Sequence, residues 1–376
     1  MSGSAFDVVI AGAGIVGAAC AEEFSRAGLR VAVVEPSVVG GGATAAGMGH
    51  IVVMDDSDSQ FALTRYSQQL WDELTPELPD DVQFYRFGTL WVAADEQEMS
   101  EVLRKQAYFT ARQVHVEVLD GRSIAEAEPN LRPGLSGGLL VPGDSVIYPP
   151  CAARFLLERA RDRGAVSHVG ARVVAMSGRG ALLDDGTKLA AASTVNATGT
   201  WAPELTPGLD VRKRKGHLVI TDRYPGFVRH QIVELGYLKS AHSTATDSVA
   251  FNAQPRPNGQ VLLGSSRQFG SDDPAVEADI LGRMIDRAVE YMPALARLSA
   301  VRCWTGFRAA TPDRLPLIGP CPAVDGLYLA TGHEGLGITT SLATARLLAD
   351  QLLGREPAIP WEPYLPSRTS QGVVHV

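Results

Sequence analysis

Residues 6–35 constrain this chain more than any other stretch. Asp7-Val8-Val9-Ile10-Ala11 is a short apolar run suited to a buried strand. Gly12-Ala13-Gly14-Ile15-Val16-Gly17 follows at once, then an alanine-rich amphipathic segment to Arg26, a stop at Gly28, a second apolar run Val31–Val34, and Glu35. Each part has a physical task. Gly12 permits the tight turn out of the strand. Gly14 lets backbone N–H groups, with those of Ile15 and Val16, approach a pyrophosphate with no Cβ in the way. Gly17 lets the helix pack closely on the sheet. The helix N-terminus carries roughly half a positive charge and free donors, which favours phosphate. Glu35 ends the second strand where its carboxylate can accept ribose hydroxyls. Strand, glycines, helix, strand and acid in this order point to a bound dinucleotide.

Pro36–His50 then crowds five glycines and three alanines into fifteen residues. Small residues suit a backbone passing close to a large flat ligand. A nicotinamide enzyme needs no second glycine loop here, whereas a flavin must be gripped further along the chain. Ser193–Thr198 is an apolar strand running into Gly199, a second place where backbone can meet a cofactor. Leu327–Ala330 is a short strand feeding Thr331-Gly332-His333-Glu334-Gly335-Leu336-Gly337 and a long helix, Ile338–Leu353.

The intervening pattern predicts helices over 59–74, 96–110, 120–130, 152–163 and 274–291. It predicts two short strands in 83–93, and strands over 114–119, 166–174, 211–221, 249–253, 261–264 and 301–307. A hairpin is expected around Asp185-Gly186. With 376 residues, two domains are expected. The net charge of −8 argues against a nucleic-acid partner, and the basic run Arg212–Lys215 reads as a solvated loop. Four scattered cysteines suggest neither disulfides nor a metal site. No apolar run approaches the roughly 18 residues of a membrane span. A cytoplasmic enzyme is the expectation, with peripheral membrane attachment and oligomerisation left open.

Taken together, GAGIVG with Glu35, Ala45-Ala46-Gly47-Met48, Asn196-Ala197-Thr198-Gly199-Thr200-Trp201, Gly306-Phe307-Arg308 with Thr311-Pro312-Asp313, and Thr331-Gly332-His333 with Gly337 resemble one family. It is that of the FAD-dependent amine and amino-acid oxidoreductases: D-amino-acid oxidases and dehydrogenases, glycine oxidase and sarcosine oxidase. The resemblance covers nearly the whole chain and is strongest to bacterial D-hydroxyproline dehydrogenases and the flavin subunits of hydrogen cyanide synthase.

The resemblance implies an α/β (α+β) chain with a Rossmann-like FAD-binding domain and a substrate domain built on an antiparallel sheet. The FAD domain would be discontinuous, at 1–48, 145–210 and 305–376, with 49–144 and 211–304 forming the substrate domain. Gly12, Gly14, Ile15, Val16, Gly17, Glu35, Pro36, Gly42, Ala43, Thr44, Ala46, Gly47 and Met48 would line the cofactor from the N-terminal side. Val173 would lie against the adenine, with Ala197, Gly199, Trp201 and Gly332 along the flavin. Gly335, Leu336, Gly337, Ile338 and Thr339 would face its pyrimidine edge, where a helix terminus stabilises negative charge by up to about 2 kcal/mol. Thr44 and Gly306 occupy the positions where relatives attach FAD covalently through His or Cys, so non-covalent FAD is expected.

In relatives the arginine matching Arg308 grips the substrate carboxylate, a task suited to a planar guanidinium fork. The implied reaction moves a hydride from the amine-bearing carbon to flavin N5, and needs alignment more than a catalytic dyad. His50 and His333 are candidates to take the amine proton or to hold structure, His217 a weaker one, and Met48 is expected against the ring. Asn252 and Gly335 stand where glycine oxidase carries a tyrosine and an arginine. These departures leave room for a bulkier or cyclic amine such as D-hydroxyproline or D-proline. The electron acceptor stays open among a quinone, a dye, a partner subunit and oxygen. Alternatives are an oxygen-using glycine- or sarcosine-type oxidase and a flavin subunit acting within a complex.

Overall fold

The computed structural model describes residues 5–236 and 247–372. The chain divides into two compact units, one of residues 1–82, 147–213 and 308–376, the other of residues 83–146 and 214–307.

The first unit is organised on a mainly parallel sheet. Its strand order is Leu317–Pro320, Leu327–Thr331, Lys188–Asn196, Phe6–Ala11, Val31–Glu35, Val166–Val169. Along this order Leu317–Pro320 runs antiparallel to Leu327–Thr331 and the other neighbours pair in parallel; off it, Gly180–Leu183 pairs antiparallel with both Lys188–Asn196 and Val173–Ser177. Val8–Ala11 and Val31–Val34 are buried throughout, as expected for strands covered on both faces. Helix Ile15–Arg26 packs against Pro149–Asp162 and Gly337–Leu353, and the latter packs against Asp58–Leu74. Two helical neighbours explain why Gly17–Ser25 are all buried, and its small residues allow the close approach. Pro149 and Pro150 open their helix, where a missing N–H costs nothing. Ser57 caps Asp58–Leu74 by accepting the N–H of Gln60 at 3.1 Å.

The second unit is an eight-stranded sheet ordered Ala300–Ala310, Arg212–Arg223, Gln260–Phe269, Asp247–Pro255, Gln231–Glu234, Thr89–Ala93, Gly137–Val141, Glu117–Asp120. One face, with Leu90, Val92, Ile232, Phe251, Ala253, Val261 and Leu263, packs on Met284, Ala288 and Tyr291 of helix Ala278–Tyr291. Phe251 stacks on Tyr291 with centroids 5.0 Å apart.

Several expectations need correction. The second sheet is not wholly antiparallel, because Gln231–Glu234 and Thr89–Ala93 pair in parallel. Residues 49–82 fall in the first unit rather than with the second domain, because helix Asp58–Leu74 packs along Gly337–Leu353. The segment 166–174 is two strands broken by Gly170 at φ +90°. The first joins the parallel sheet, and the second, Val173–Ser177, pairs with Gly180–Leu183. Residues 83–93 contain one strand, Thr89–Ala93, with Tyr85 making only an isolated bridge to Val146. The basic run is not a solvated loop. It opens strand Arg212–Arg223, burying Arg214 over Phe269 and Lys215 against Glu277 at 2.6 Å. No helix among the described residues is long and apolar enough to cross a membrane. No group of three or more His, Cys, Asp or Glu side chains among them is placed to hold a metal ion.

Candidate functional site

At the first turn, Gly12 has φ +99°, and a Cβ there would lie 2.7 Å from the Ala197 carbonyl. A Cβ on Gly17 would lie 2.0 Å from the Gly12 carbonyl. Strand, turn, helix and Ala197 are thus locked at distances that only glycine tolerates. The first helical bond runs from Ala18 N to Gly14 O, so the N–H groups of Ile15, Val16 and Gly17 have no acceptor within the helix. Thr44 Oγ1 accepts that of Ile15 at 3.0 Å and is buried. The donors of Val16 and Gly17 remain for an anion.

Glu35 closes the same turn. Its Oε2 accepts from Ala13 N at 2.9 Å and its Oε1 from Ser37 N at 3.0 Å. Each carboxylate oxygen keeps lone-pair capacity for a further donor such as a hydroxyl. Beyond exposed Pro36, the glycine-rich stretch is more structured than a loop, with a short helix Gly42–Ala46. Ala43 is exposed on it and Ala46 half-buried. Gly42 sits at φ +56°, where a Cβ would come 3.4 Å from the ring of Trp201, itself largely exposed. A Cβ on Gly47 would lie 2.8 Å from Ile338 Cδ1. Met48 and His50 are half-buried, and the His50 carbonyl accepts Thr339 Oγ1 at 2.8 Å. Val173 is buried at the start of its strand. Gly199, at φ +61°, would meet nothing within 4 Å with an added Cβ, and its carbonyl accepts Thr331 Oγ1 at 2.9 Å.

The C-terminal elements meet the same place. Gly332, at φ +79°, packs on Thr311, where a Cβ would lie 2.5 Å from its Cγ2. Ala310 and His333 form a bridge, and Glu334 N bonds the Ala309 carbonyl at 2.8 Å with φ +49°. Glu334 therefore holds the left-handed turn between strand and helix. A Cβ on Gly337 would lie 3.3 Å from His333 Cβ and 4.0 Å from Val16 Cγ2. Helix Gly337–Leu353 starts at Leu336 with no side-chain cap, and its first helical bond is Thr340 N to Leu336 O. The donors of Gly337, Ile338 and Thr339 therefore lack helical acceptors. A Cβ on exposed Gly335 would meet only Arg308, at 3.9 Å from Nε. Arg308 is half-buried and runs along this backbone.

Residues 12–17, 42–48, 197–201 and 332–339 thus converge in the first unit with Arg308 beside them, leaving an open cradle at Gly199 and Gly335. These residues fit a large flat cofactor with a diphosphate. Asn252 lies in the second unit, buried on strand Asp247–Pro255.

The histidines divide. His333 is buried, with Nε2 at 2.9 Å from Thr344 Oγ1, and burial pulls its pKa down to about 3. Nothing charged compensates, so the ring is neutral and its hydrogen bond is structural. His217 is buried between Ser266 Oγ at 2.9 Å and Glu277 N at 3.1 Å; Nε2 accepts from the latter, so the neutral ring carries its proton on Nδ1. The Thr311-Pro312-Asp313 turn is also structural, since Asp313 takes Arg368 in a fork at 2.7 and 3.2 Å.

Sequence reasoning gave the helix over 59–74 but not its role as the buttress of this cradle. Trp71 Nε1 donates to Thr339 O at 3.3 Å, and Ser67 Oγ accepts from Ala343 N at 3.2 Å. Both lie on the buried stripe of Asp58–Leu74, where a helical period marks packing but not the partner.

The family model described as FAD dependent oxidoreductase (DAO) matches residues 7–351. Hydrogen cyanide synthase subunit HcnC of Pseudomonas aeruginosa is 30% identical, the alignment covering 96% of each chain. Glycine oxidase of the same species is 29% identical over 96% of this chain and 98% of its own. The crystal structure of glycine oxidase from Geobacillus kaustophilus superposes with a TM-score of 0.87 at 26% identity, covering 96% of this chain and 98% of that one. The glycine turn, the uncapped C-terminal helix and these matches across nearly the whole length lead to one conclusion: the chain belongs to the DAO family of FAD-dependent oxidoreductases.

Proposed function

We propose that this protein oxidises the amine of a small amino or imino acid to an imine, with a preference for a D-proline- or D-hydroxyproline-like ring, using non-covalently held FAD. The observation that carries the reading is Arg308. Its side chain runs along the Gly335 backbone at the mouth of an uncapped helix, where a guanidinium can hold a carboxylate in a two-point fork.

Bound FAD supplies the hydride acceptor. The N–H groups of Val16 and Gly17 hold its diphosphate, Glu35 its ribose, and Val173 lines the adenine. Gly42, Ala43, Thr44, Ala46, Gly47, Met48, Ala197, Gly199, Trp201 and Gly332 shape the remainder. The start of helix Gly337–Leu353 places positive potential at the ring edge, which favours an added negative charge there. Thr44 offers neither the imidazole nor the thiol through which relatives attach the flavin, and its hydroxyl accepts Ile15 N instead. His333 is held neutral by burial and bonds Thr344, so it serves the cradle as a structural residue. His50 and Met48 contribute shape and polarity.

Anaerobic titration of the flavin with D- and L-amino acids, glycine, sarcosine and the hydroxyproline isomers tests this. Bleaching by a cyclic D-imino acid is the expected result. Bleaching by glycine alone returns the protein to the oxidase reading. The 30% identity to HcnC over nearly both full lengths supports a second reading, a flavin subunit passing electrons to a partner. Flavin reduction by substrate without peroxide formation in air would favour it.

A further inference from the structure

The sheet edges of this chain are not equally protected. A strand with an unpaired side is a template for another chain, so edges are kept short, charged or covered. In the first unit Val166–Val169 has four residues. Leu317–Pro320 also has four, ends in proline and packs against the 3-10 turns Glu362–Tyr364 and Pro366–Gly372. In the second unit Glu117–Asp120 is again four residues long and begins and ends on a carboxylate. Strand Ala300–Ala310 follows none of these rules. It has eleven residues, with neither proline nor lysine, and it closes its sheet beside Arg212–Arg223 with no described strand on its outer side.

The first part of this strand is open to solvent. Ala300, Arg302 and Cys303 are exposed, and Val301 is 62% exposed. Val301, Cys303 and Thr305 alternate with Arg302 and Trp304, so the two sets point to opposite faces of the sheet.

Symmetry restricts what can pair with such an edge. Two copies related by a two-fold axis meet edge to edge as antiparallel strands, and directly opposed side chains share a face, so one residue must oppose itself. With Cys303 on the axis, Val301 opposes Thr305 of the second copy, Ala300 opposes Gly306, and Arg302 opposes Trp304. β-Branched side chains then meet each other, small residues meet each other, and a guanidinium meets an indole. The chain already makes this last contact with itself, the Arg302 guanidinium lying 5.3 Å from the Trp304 ring. Moving the axis to Arg302 would oppose two guanidiniums, which is repulsive. Arg302 is the sole charged residue in 300–306, so the Cys303 register contains no like-charged pair.

We propose that residues 300–306 form a dimerisation edge, on which a second copy of this chain pairs antiparallel about Cys303 and joins the two eight-stranded sheets into one.

The register has a chemical signature. Opposed Cα atoms in antiparallel pairs lie about 4.5–5.5 Å apart, within the roughly 4.4–6.8 Å that a disulfide spans. Diamide, which takes up the two thiol hydrogens, should therefore link two copies through Cys303. Cys20 and Cys321 are buried and Cys151 is half-buried, so Cys151→Ser is the background that isolates this thiol.

The flavin-loaded full chain is followed by sedimentation velocity at micromolar concentrations, and by non-reducing gels after diamide. Cys151→Ser should sediment as a dimer. Diamide should give a linked dimer that dithiothreitol reverses and that Cys303→Ser abolishes. Val301→Lys puts a charge on the edge at an exposed position, so flavin content and Tm should match wild type. Its dimer dissociation constant should rise by about tenfold or more, because the change enters twice across the axis. If that variant is itself destabilised, the crosslink decides alone. A monomer at every concentration overturns the proposal and leaves the edge to a different chain. A dimer that a well-folded Val301→Lys does not weaken overturns it too, as does one that diamide fails to link through Cys303.

Discussion

The hydroxyl of Thr44 receives the backbone N–H of Ile15 at 3.0 Å, tying the glycine-rich stretch to the start of the first helix. A donor that would otherwise compete for the cofactor anion is thereby fixed, and the loop is held in place. Thr44→Val keeps the shape and removes the acceptor. Stability should drop by about 1–2 kcal/mol, as for a lost helix cap. FAD affinity should weaken by about tenfold, with Thr44→Ser restoring most of both. Titration of apoprotein with FAD, followed by flavin fluorescence, checks this; an affinity within about threefold of wild type would remove Thr44 from the cradle.

Arg308→Ala should lower kcat/KM for a carboxylate-bearing amine by at least about two orders of magnitude, in line with about 3–5 kcal/mol for stranding a charge partner. Arg308→Lys should recover only part, because an ammonium cannot offer the planar fork. The flavin content of both variants should match wild type, which separates loss of substrate grip from loss of cofactor.

His333 gives a signed pH prediction. Burial lowers its folded pKa from the ordinary 6.5 to about 3, so the unfolded chain binds the proton first. The stability from keeping this ring neutral is full above about pH 6.5 and is lost as pH falls from there toward 3. Urea midpoints for wild type and His333→Gln should therefore converge as pH falls from 7 to 4.5. The rate of flavin reduction between pH 6 and 9 should show no ionisation that this substitution removes; a vanished limb would restore His333 as a proton acceptor.

Two helical glycines should respond in opposite directions. Gly17→Ala would put a Cβ 2.0 Å from the Gly12 carbonyl, where only backbone movement gives relief. That protein should be insoluble or colourless. Gly282, inside helix Ala278–Tyr291, would meet nothing within 4 Å. Gly282→Ala should raise stability by about 0.5–1 kcal/mol from helix propensity alone, read from denaturant midpoints.

The nucleotide half was legible because its signals are local. Gly12, Gly14 and Gly17 have spacing that one turn explains, and Val8–Ala11 is a run that only a doubly covered strand accommodates. The C-terminal helix was legible for the same reason. Gln231–Glu234 was not, because its two polar ends disguise a strand. Glu234 is buried by partners far away, Arg287 and the N–H of Phe251. Lys215 misled in the same way, since its partner Glu277 lies sixty-two residues on. Of the candidate site, the backbone-bonding glycines could be read directly. The neutral state of His333 could not, because it depends on burial, and the buttress from Trp71 and Ser67 could not, because a buried stripe does not name what it touches.

The strand order carries a consequence for biosynthesis. Phe6–Ala11 is made before both of the strands it lies between, Val31–Glu35 and Lys188–Asn196, and the helix that follows it packs on Gly337–Leu353. The opening glycine turn therefore waits through most of translation for its walls. A chain that ends before residue 337 lacks the helix Gly337–Leu353 that walls this turn, so its nucleotide motif is left without one side of its packing.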